Sequence, residues 1–359
     1  MKFWLNPNVR FYPQLGIDSS WVISNMDTKK EARVSSSICL LLAKFIGGAK
    51  ISSVKKELPS KQRKEVLSTA IAWLIDNEYL LKTDLEYKDR ASMVDFWHAH
   101  NWYESLDYHL LTYSYPFEDY SNDGETQDRK KMDEYRELDI EPSRTKQYML
   151  KLSQYEICNT KSACSQIKAR SFDVLGGACN YKDWKTEDLL NLASIAFGKL
   201  RGRKVNATPP VEELIRKTSP SGGCRHPAEG YFFCTKMDGI ESGIYHFCVK
   251  TNSLDKISEL PQTADLNMCF DGLLRAPFTP KVFVVMTTVF ERNMFRYREP
   301  RTFRTPFMDV GHLIGTLELS AHGLGMKTFV HHGIDDQKIE ALLGIDELSE
   351  TVVYGVAIG

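Results

Sequence analysis

The chain has 359 residues, of which 42% are hydrophobic and 26% charged, and a formal net charge of −1. That length suits two domains better than one core, and the composition is that of a globular chain, not a disordered or fibrous one. Near-neutral charge gives nucleic-acid binding no bulk electrostatic support, and the N-terminal Met1–Pro7 carries no signal-peptide pattern. With no apolar run long enough for a bilayer, a soluble, cytoplasmic protein without nucleic-acid or membrane partners is expected.

The eight cysteines include no Cys-x-x-Cys pair, which argues against a zinc ribbon or thioredoxin-type site. Several lie in apolar runs, such as Cys234 after Tyr231-Phe232-Phe233, where a thiol serves as a small buried hydrophobe.

The first segment, residues 1–85, reads as a small winged helix. Val9–Tyr12 and Trp21–Ile23 have strand character on either side of Pro13 and Gly16. Ser35–Ser37 offers an N-cap for an apolar helix over Ile38–Ile46 that stops at Gly47-Gly48. A short helix over Ile51–Leu58 follows. After Ser60 comes a longer one with Val66, Leu67, Ala70, Ile71, Leu74 and Ile75 on one face.

This order of elements resembles PqqD-like modules, the RiPP recognition elements of ribosomal peptide maturation enzymes. The resemblance implies that residues 1–85 hold the leader of a precursor peptide as an added strand. A winged helix used only for packing or dimerisation is the alternative. The basic run Lys55, Lys56, Lys61, Arg63 and Lys64 reads as a solvated face, not a DNA contact.

Residues 86–143 read as a connector. Ala91–Leu111 is aromatic and predicts helix, whereas Tyr120–Arg136 is polar and densely charged and predicts a loop or mobile linker. From 144 to 359 helices and strands alternate. An amphipathic helix over Thr186–Phe197, opened by a threonine cap, precedes strands at Tyr231–Thr235, Ile244–Lys250, Lys281–Val289 and Thr351–Ile358. Leu313, Ile314, Leu317 and Ala321 give Asp309–His322 helical spacing, with His312 read as a core histidine. The class is α+β.

Chemistry concentrates in Arg216-Lys217-Thr218-Ser219-Pro220-Ser221-Gly222-Gly223-Cys224-Arg225-His226-Pro227. A flat ring needs a floor where backbone approaches without side chains, with polar donors at its edge and cations for a phosphate. This stretch supplies all three, although Ser-Gly-Gly alone is a common turn. Further on come Arg296-Tyr297-Arg298-Glu299-Pro300-Arg301, then Met308-Asp309-Val310-Gly311-His312, then Ala321-His322-Gly323-Leu324-Gly325.

Together and in this order these motifs resemble the SagB-type (McbC-like) FMN-dependent dehydrogenases of the nitroreductase superfamily. That family shows Arg-Arg-Ser-Ser-Pro-Ser-Gly-Gly-Ala-Leu-His-Pro, Lys-Tyr-Gly-Glu-Arg-Ala-Tyr-Arg, Asp-Ala-Gly-His and Gly-Leu-Gly. The resemblance covers residues 144–359 and implies a nitroreductase-like FMN domain behind the winged helix, a homodimer, and FMN at the subunit interface. It further implies phosphate contacts from Arg170, Ser171 and Arg216. Pro220, Ser221, Gly222, Gly223 and Gly325 would line the flavin.

The departures bear on the reaction. Azoline-oxidising members carry a Lys-Tyr pair, and here the pair is Arg296-Tyr297. A guanidinium stays protonated, so Arg296 anchors or stabilises negative charge instead of acting as base, and Tyr297 is the acid/base or positioning candidate. His331 and His332 stand where a shorter glycine-rich turn is usual and suggest a proton relay. No metal is expected there, because adjacent histidines seldom converge on one ion.

The resemblance thus implies an oxidase acting on one residue of a precursor peptide, alongside other maturation enzymes, with O2 as acceptor. Two reactions stand open: azoline-to-azole dehydrogenation, and oxygenation of an aromatic residue such as Trp. A catalytically inactive peptide-binding scaffold partnering a cyclodehydratase is the alternative from another class.

Overall fold

The computed structural model describes residues 1–14, 20–56, 61–115, 123–167, 181, 183–204, 212–235 and 237–359. Two units are formed, Met1–Glu118 and Asp119–Gly359.

In the first unit, strands β1 (Lys2–Leu5), β2 (Val9–Pro13), β3 (Trp21–Asn25) and β4 (Lys30–Val34) precede helix α1 (Ser36–Ala43). Then come β5 (Ala49–Lys50), α2 (Ile51–Lys56), α3 (Lys61–Asp76) and β6 (Leu80–Leu81). β2, β3 and β4 form an antiparallel meander, and β1 lies between β5 and β6. Phe3, Val9, Ile23, Leu42, Phe45 and Ile71 close a core of their own. The apolar face expected on α3 is narrower than its six residues: Leu67, Ile71 and Leu74 are buried, whereas Val66 is 71% exposed. Val66 is about 100° around the helix from Leu67, which puts it past the edge of the buried stripe.

The aromatic stretch is two helices, α4 (Asp84–His98) and α5 (Tyr103–Thr112). Thr83 caps α4 by accepting from the Glu86 N–H.

The second unit opens with a correction to the sequence reading. The polar segment expected to be a loop is helix α6, Gly124–Leu138. Its charged residues find partners inside this unit, as the site below shows. β7 (Ser153–Glu156), α7 (Thr160–Ser165) and α8 (Thr186–Phe197) follow. Lys185, not Thr186, is the N-cap of α8; the Thr186 hydroxyl instead donates to the Asp238 carbonyl. Next come β8 (Arg201–Arg203), β9 (Leu214–Arg216), β10 (Ala228–Cys234), β11 (Gly243–Cys248), β12 (Ser253–Ser258) and α9 (Thr263–Cys269). The rest is β13 (Val282–Val289), α10 (Phe290–Met294), α11 (Arg304–Gly323), β14 (Thr328–His331), α12 (Asp336–Leu343) and β15 (Glu350–Ile358).

Seven strands make one antiparallel sheet in the order β14-β15-β13-β10-β11-β12-β7. Both faces are covered. Phe232, Val284, Leu192, Phe197, Leu313 and Leu317 share one core, which contains the apolar faces of α8 and α11. Tyr231, Phe233, Val285, Phe270, Ile339 and Leu343 share the other. Burial on both faces explains the continuous apolar runs of the central strands. Gly230 of β10 lies under Phe197 of α8, and a Cβ there would stand 2.3 Å from the Phe197 ring.

His312 corrects another expectation. It is exposed on α11, because Leu313, Leu317 and Ala321 take the buried phase of the helix. Among the described residues the cysteines, including buried Cys234, are free thiols. No described helix is long and apolar enough to cross a membrane.

Candidate functional site

The site is built on the loop from β9 to β10, which α11 holds in place. Ser219 donates to the Thr316 hydroxyl at 2.7 Å, and Ser221 donates to Asp309 Oδ2 at 2.6 Å. The Ser221 oxygen also accepts the His226 N–H at 2.9 Å, so one hydroxyl ties both ends of the turn to the helix. Burial pushes the Asp309 carboxyl up, against the pull of its Ser221 bond.

Inside the turn Gly223, Cys224 and His226 all have positive φ, at 58°, 54° and 48°. Such angles in residues with side chains persist only where the surroundings over-determine them. The restraint on His226 is visible. Its Nε2 lies 2.7 Å from the Ile215 carbonyl, and its own carbonyl accepts from Arg292 Nη1 at 2.8 Å. Arg292 in turn pairs with buried Glu229 at 2.6 Å. Burial, helped by the charge of Lys217, lowers the His226 imidazole to about 3, so it is neutral in the folded protein. Lys217 lines a small cleft with Ser221, His226 and Asp309. Burial lowers its amine to about 8 while Glu229 acts the other way.

Gly223 faces Tyr297. A Cβ on Gly223 would lie 2.5 Å from the Tyr297 hydroxyl oxygen, so the absence of a side chain is what lets the phenol reach the loop. Burial pushes the Tyr297 phenol up, with Arg296 and Arg225 partly offsetting it. The group is therefore a neutral O–H, a donor at ordinary pH.

A cavity of about 610 Å³ adjoins this contact and is lined by Gly223, Arg225, Arg296 and Tyr297, with Met132 and Arg136 of α6. The Arg296 guanidinium lies 5.0 Å from the centre of the Tyr297 ring and pairs with Asp128 of α6. Arg225 donates to Glu141 at 2.8 Å. A second cavity, about 980 Å³, is lined by Ile140, Phe290, Met294, Phe295 and Phe303 and again by Tyr297. Tyr297 thus belongs to a cationic cavity and to an apolar one.

The structure brings Gly223, Arg296 and Tyr297 together, with Ser221 and Gly222 in the adjoining turn. Arg216 ends β9 with its side chain exposed and does not line either cavity. Gly325 follows α11 with φ 85°. His331 and His332 stack at 5.2 Å at the end of edge strand β14, where the His331 ring accepts the Gly333 N–H, and neither lines the cavities at Tyr297. Arg170 and Ser171 lie outside the described residues. Among the described residues no group of three or more His, Cys, Asp or Glu is placed to hold a metal ion.

Sequence reasoning missed Glu141, Arg144, Arg225 and Asp128. For Arg225 a signal existed, since it stands where the family pattern has Leu. The others are brought in from residues 128–144 by the fold alone.

Residues 185–359 match the Nitroreductase family. Over 273 residues, 70% of this chain and 68% of the relative, the sequence is 29% identical to the trifolitoxin-processing protein TfxB of Rhizobium leguminosarum bv. trifolii. Among solved structures, one from Anabaena variabilis assigned to the nitroreductases is similar at 22% identity and a TM-score of 0.48. The match covers 64% of this chain but only 46% of that one. The Escherichia coli microcin synthetase McbBCD complex with truncated pro-MccB17 bound is similar at 19% identity and a TM-score of 0.40, over 60% of this chain and 77% of that one. The nitroreductase match thus spans the C-terminal segment, residues 185–359, which carries the β9–β10 turn and the Arg296-Tyr297 pair.

Proposed function

We propose that the chain is an FMN-dependent oxidoreductase that oxidises one residue of a ribosomally made peptide, with O2 as acceptor. The observation that carries this reading is the seating of the Tyr297 hydroxyl against the side-chain-free Gly222–Gly223 turn, at the junction of two cavities. The residues present fit a flavin. Gly223 opens bare backbone to the cavity, and the turn is fixed to α11 through Ser221. Arg170 and Ser171 are proposed to hold the phosphate. FMN supplies hydride acceptance when bound.

The chain's own residues then have distinct tasks. Tyr297 holds a proton at its oxygen and either orients the reacting residue or exchanges that proton with it. Arg296 stays charged and stabilises anionic character. The apolar cavity beside Phe295 and Phe303 takes an apolar or aromatic side chain. The similarity to a protein named for trifolitoxin processing supports a peptide substrate. Residues 1–85 are proposed to hold its leader, and two copies of the chain to complete the enzyme.

Absorbance of the purified full-length protein tests the cofactor: a flavin spectrum, native or after adding FMN, is expected. A colourless protein that takes up no FMN would instead support a binding scaffold for a cyclodehydratase. The mass of the treated peptide then separates the two reactions. Loss of two hydrogens marks dehydrogenation, and gain of oxygen marks oxygenation. Removing residues 1–85 should weaken leader-peptide capture and leave flavin content unchanged.

A further inference from the structure

Among the described residues, more guanidinium groups than carboxylates line the cationic cavity. Glu141 alone meets three arginines: Arg136 Nε at 3.0 Å, Arg225 Nη1 at 2.8 Å, and Arg144. Burial pushes the Glu141 carboxyl up, but the arginines outweigh it and hold it below the usual range. Arg144 and Arg225 are 2% and 5% exposed, and both line the cavity. Among the described residues the Nε atom of each is buried without a hydrogen-bond partner. Buried donors are seldom left unpaired in a folded protein, so two such atoms beside one cavity mark a place for an acceptor that the described residues do not supply.

Arg296 completes the arrangement. It pairs with Asp128, whose side chain is 44% exposed. An ion pair with one partner so open to water is easily exchanged for a competing carboxylate. We propose that this cavity binds a carboxylate of the substrate peptide, held by Arg225 and by Arg296 once Asp128 yields its place. Forked guanidinium donors suit a carboxylate. The bound anion sets the neighbouring residue beside the Tyr297 hydroxyl. This rests on the oxidoreductase reading for its purpose, but not for the binding itself. The carboxylate has two possible sources, a peptide C-terminus or an acidic side chain.

The test uses the full-length protein and three probes titrated by calorimetry: N-acetyl-phenylalanine, N-acetyl-phenylalaninamide, and N-acetyl-glutamic acid α-amide. At least one acid should bind tenfold or more tightly than the neutral amide, and the tighter acid names the source. Arg296→Gln should weaken that acid at least tenfold, and Asp128→Asn should tighten it severalfold by removing the internal competitor. Flavin content should stay unchanged in both. Equal binding of all three probes, or acid binding indifferent to both substitutions, overturns the proposal. So does loss of FMN from Arg296→Gln, which would make the cavity a cofactor-phosphate site. Arg225→Gln adds a third variant, and the more exposed Asp128 keeps the test decisive if that variant misfolds. A protein that takes up no FMN yet prefers an acid over the amide sinks the oxidoreductase reading and leaves the anion site standing.

Discussion

The Tyr297 hydroxyl occupies the space a side chain on Gly223 would need, 2.5 Å from the ideal Cβ position, at a residue whose φ is +58°. Gly223→Ala therefore combines a left-handed backbone with a steric conflict. Together these should cost about 1–3 kcal/mol in urea unfolding. Tyr297→Phe removes the conflicting oxygen and leaves the ring carbon at 3.4 Å, near ordinary contact. The alanine should thus be milder in a chain that already carries Tyr297→Phe than in the native one. Additive costs would show that the two residues do not constrain each other. Tyr297→Phe alone should slow turnover while FMN stays bound.

Glu141 gives a second expectation. Its side chain is 8% exposed and is shared by Arg136, Arg144 and Arg225. Glu141→Gln leaves buried guanidiniums without their counter-charge, and a loss of about 3–5 kcal/mol is expected, read as a lowered urea midpoint. A change below about 1 kcal/mol would mean that water already screens the cluster.

The third expectation concerns pH. The His226 imidazole is held at about 3 in the folded protein, well below its ordinary value of 6.5. Well above pH 6.5 the ring is neutral in both states and contributes no slope. Between 6.5 and 3 the unfolded chain takes up a proton that the folded one refuses. Stability should then fall with acid by up to about 1.4 kcal/mol per pH unit. His226→Gln keeps a donor for the Ile215 carbonyl and removes the titration. Its denaturation midpoint should vary less between about pH 6.5 and about pH 4 than that of the native chain.

Gly230 supplies the fourth. It is flanked in β10 by buried strands, and a Cβ would meet the Phe197 ring of α8 at 2.3 Å. Gly230→Ala should destabilise by about 1–3 kcal/mol through overpacking. Pairing it with Phe197→Leu should recover part of the loss in thermal unfolding.

The central strands were legible because burial on both faces leaves unbroken apolar runs such as Tyr231-Phe232-Phe233-Cys234, and α8 and α11 because their buried residues repeat at helical spacing. Strands β7, β12 and β14 were not. They lie toward the edges of the sheet, and Ser253-Leu254-Asp255-Lys256-Ile257-Ser258 carries charge where a core strand would carry valine. Helix α6 misled for a related reason. Its sequence is mostly polar, and what anchors it is tertiary: Met132 against Arg225, Arg136 to Glu141, Asp128 to Arg296. The site divides along the same line. Gly222, Gly223, Arg296 and Tyr297 could be read from motif order. The Glu141–Arg225 pair joins residues 84 apart in the chain, and local spacing carries no trace of that meeting.

The placement of β15 between β13 and β14 has a consequence for synthesis. Both neighbours precede it in the chain, so during translation they wait as unpaired edges until Glu350–Ile358 emerges. Val282–Val289 is almost wholly apolar, and such an edge invites pairing with other chains. A released chain ending before residue 350 would have the helices of this sheet but lack the strand that joins its two parts. Loss of this strand should therefore yield insoluble chain before it yields an inactive enzyme.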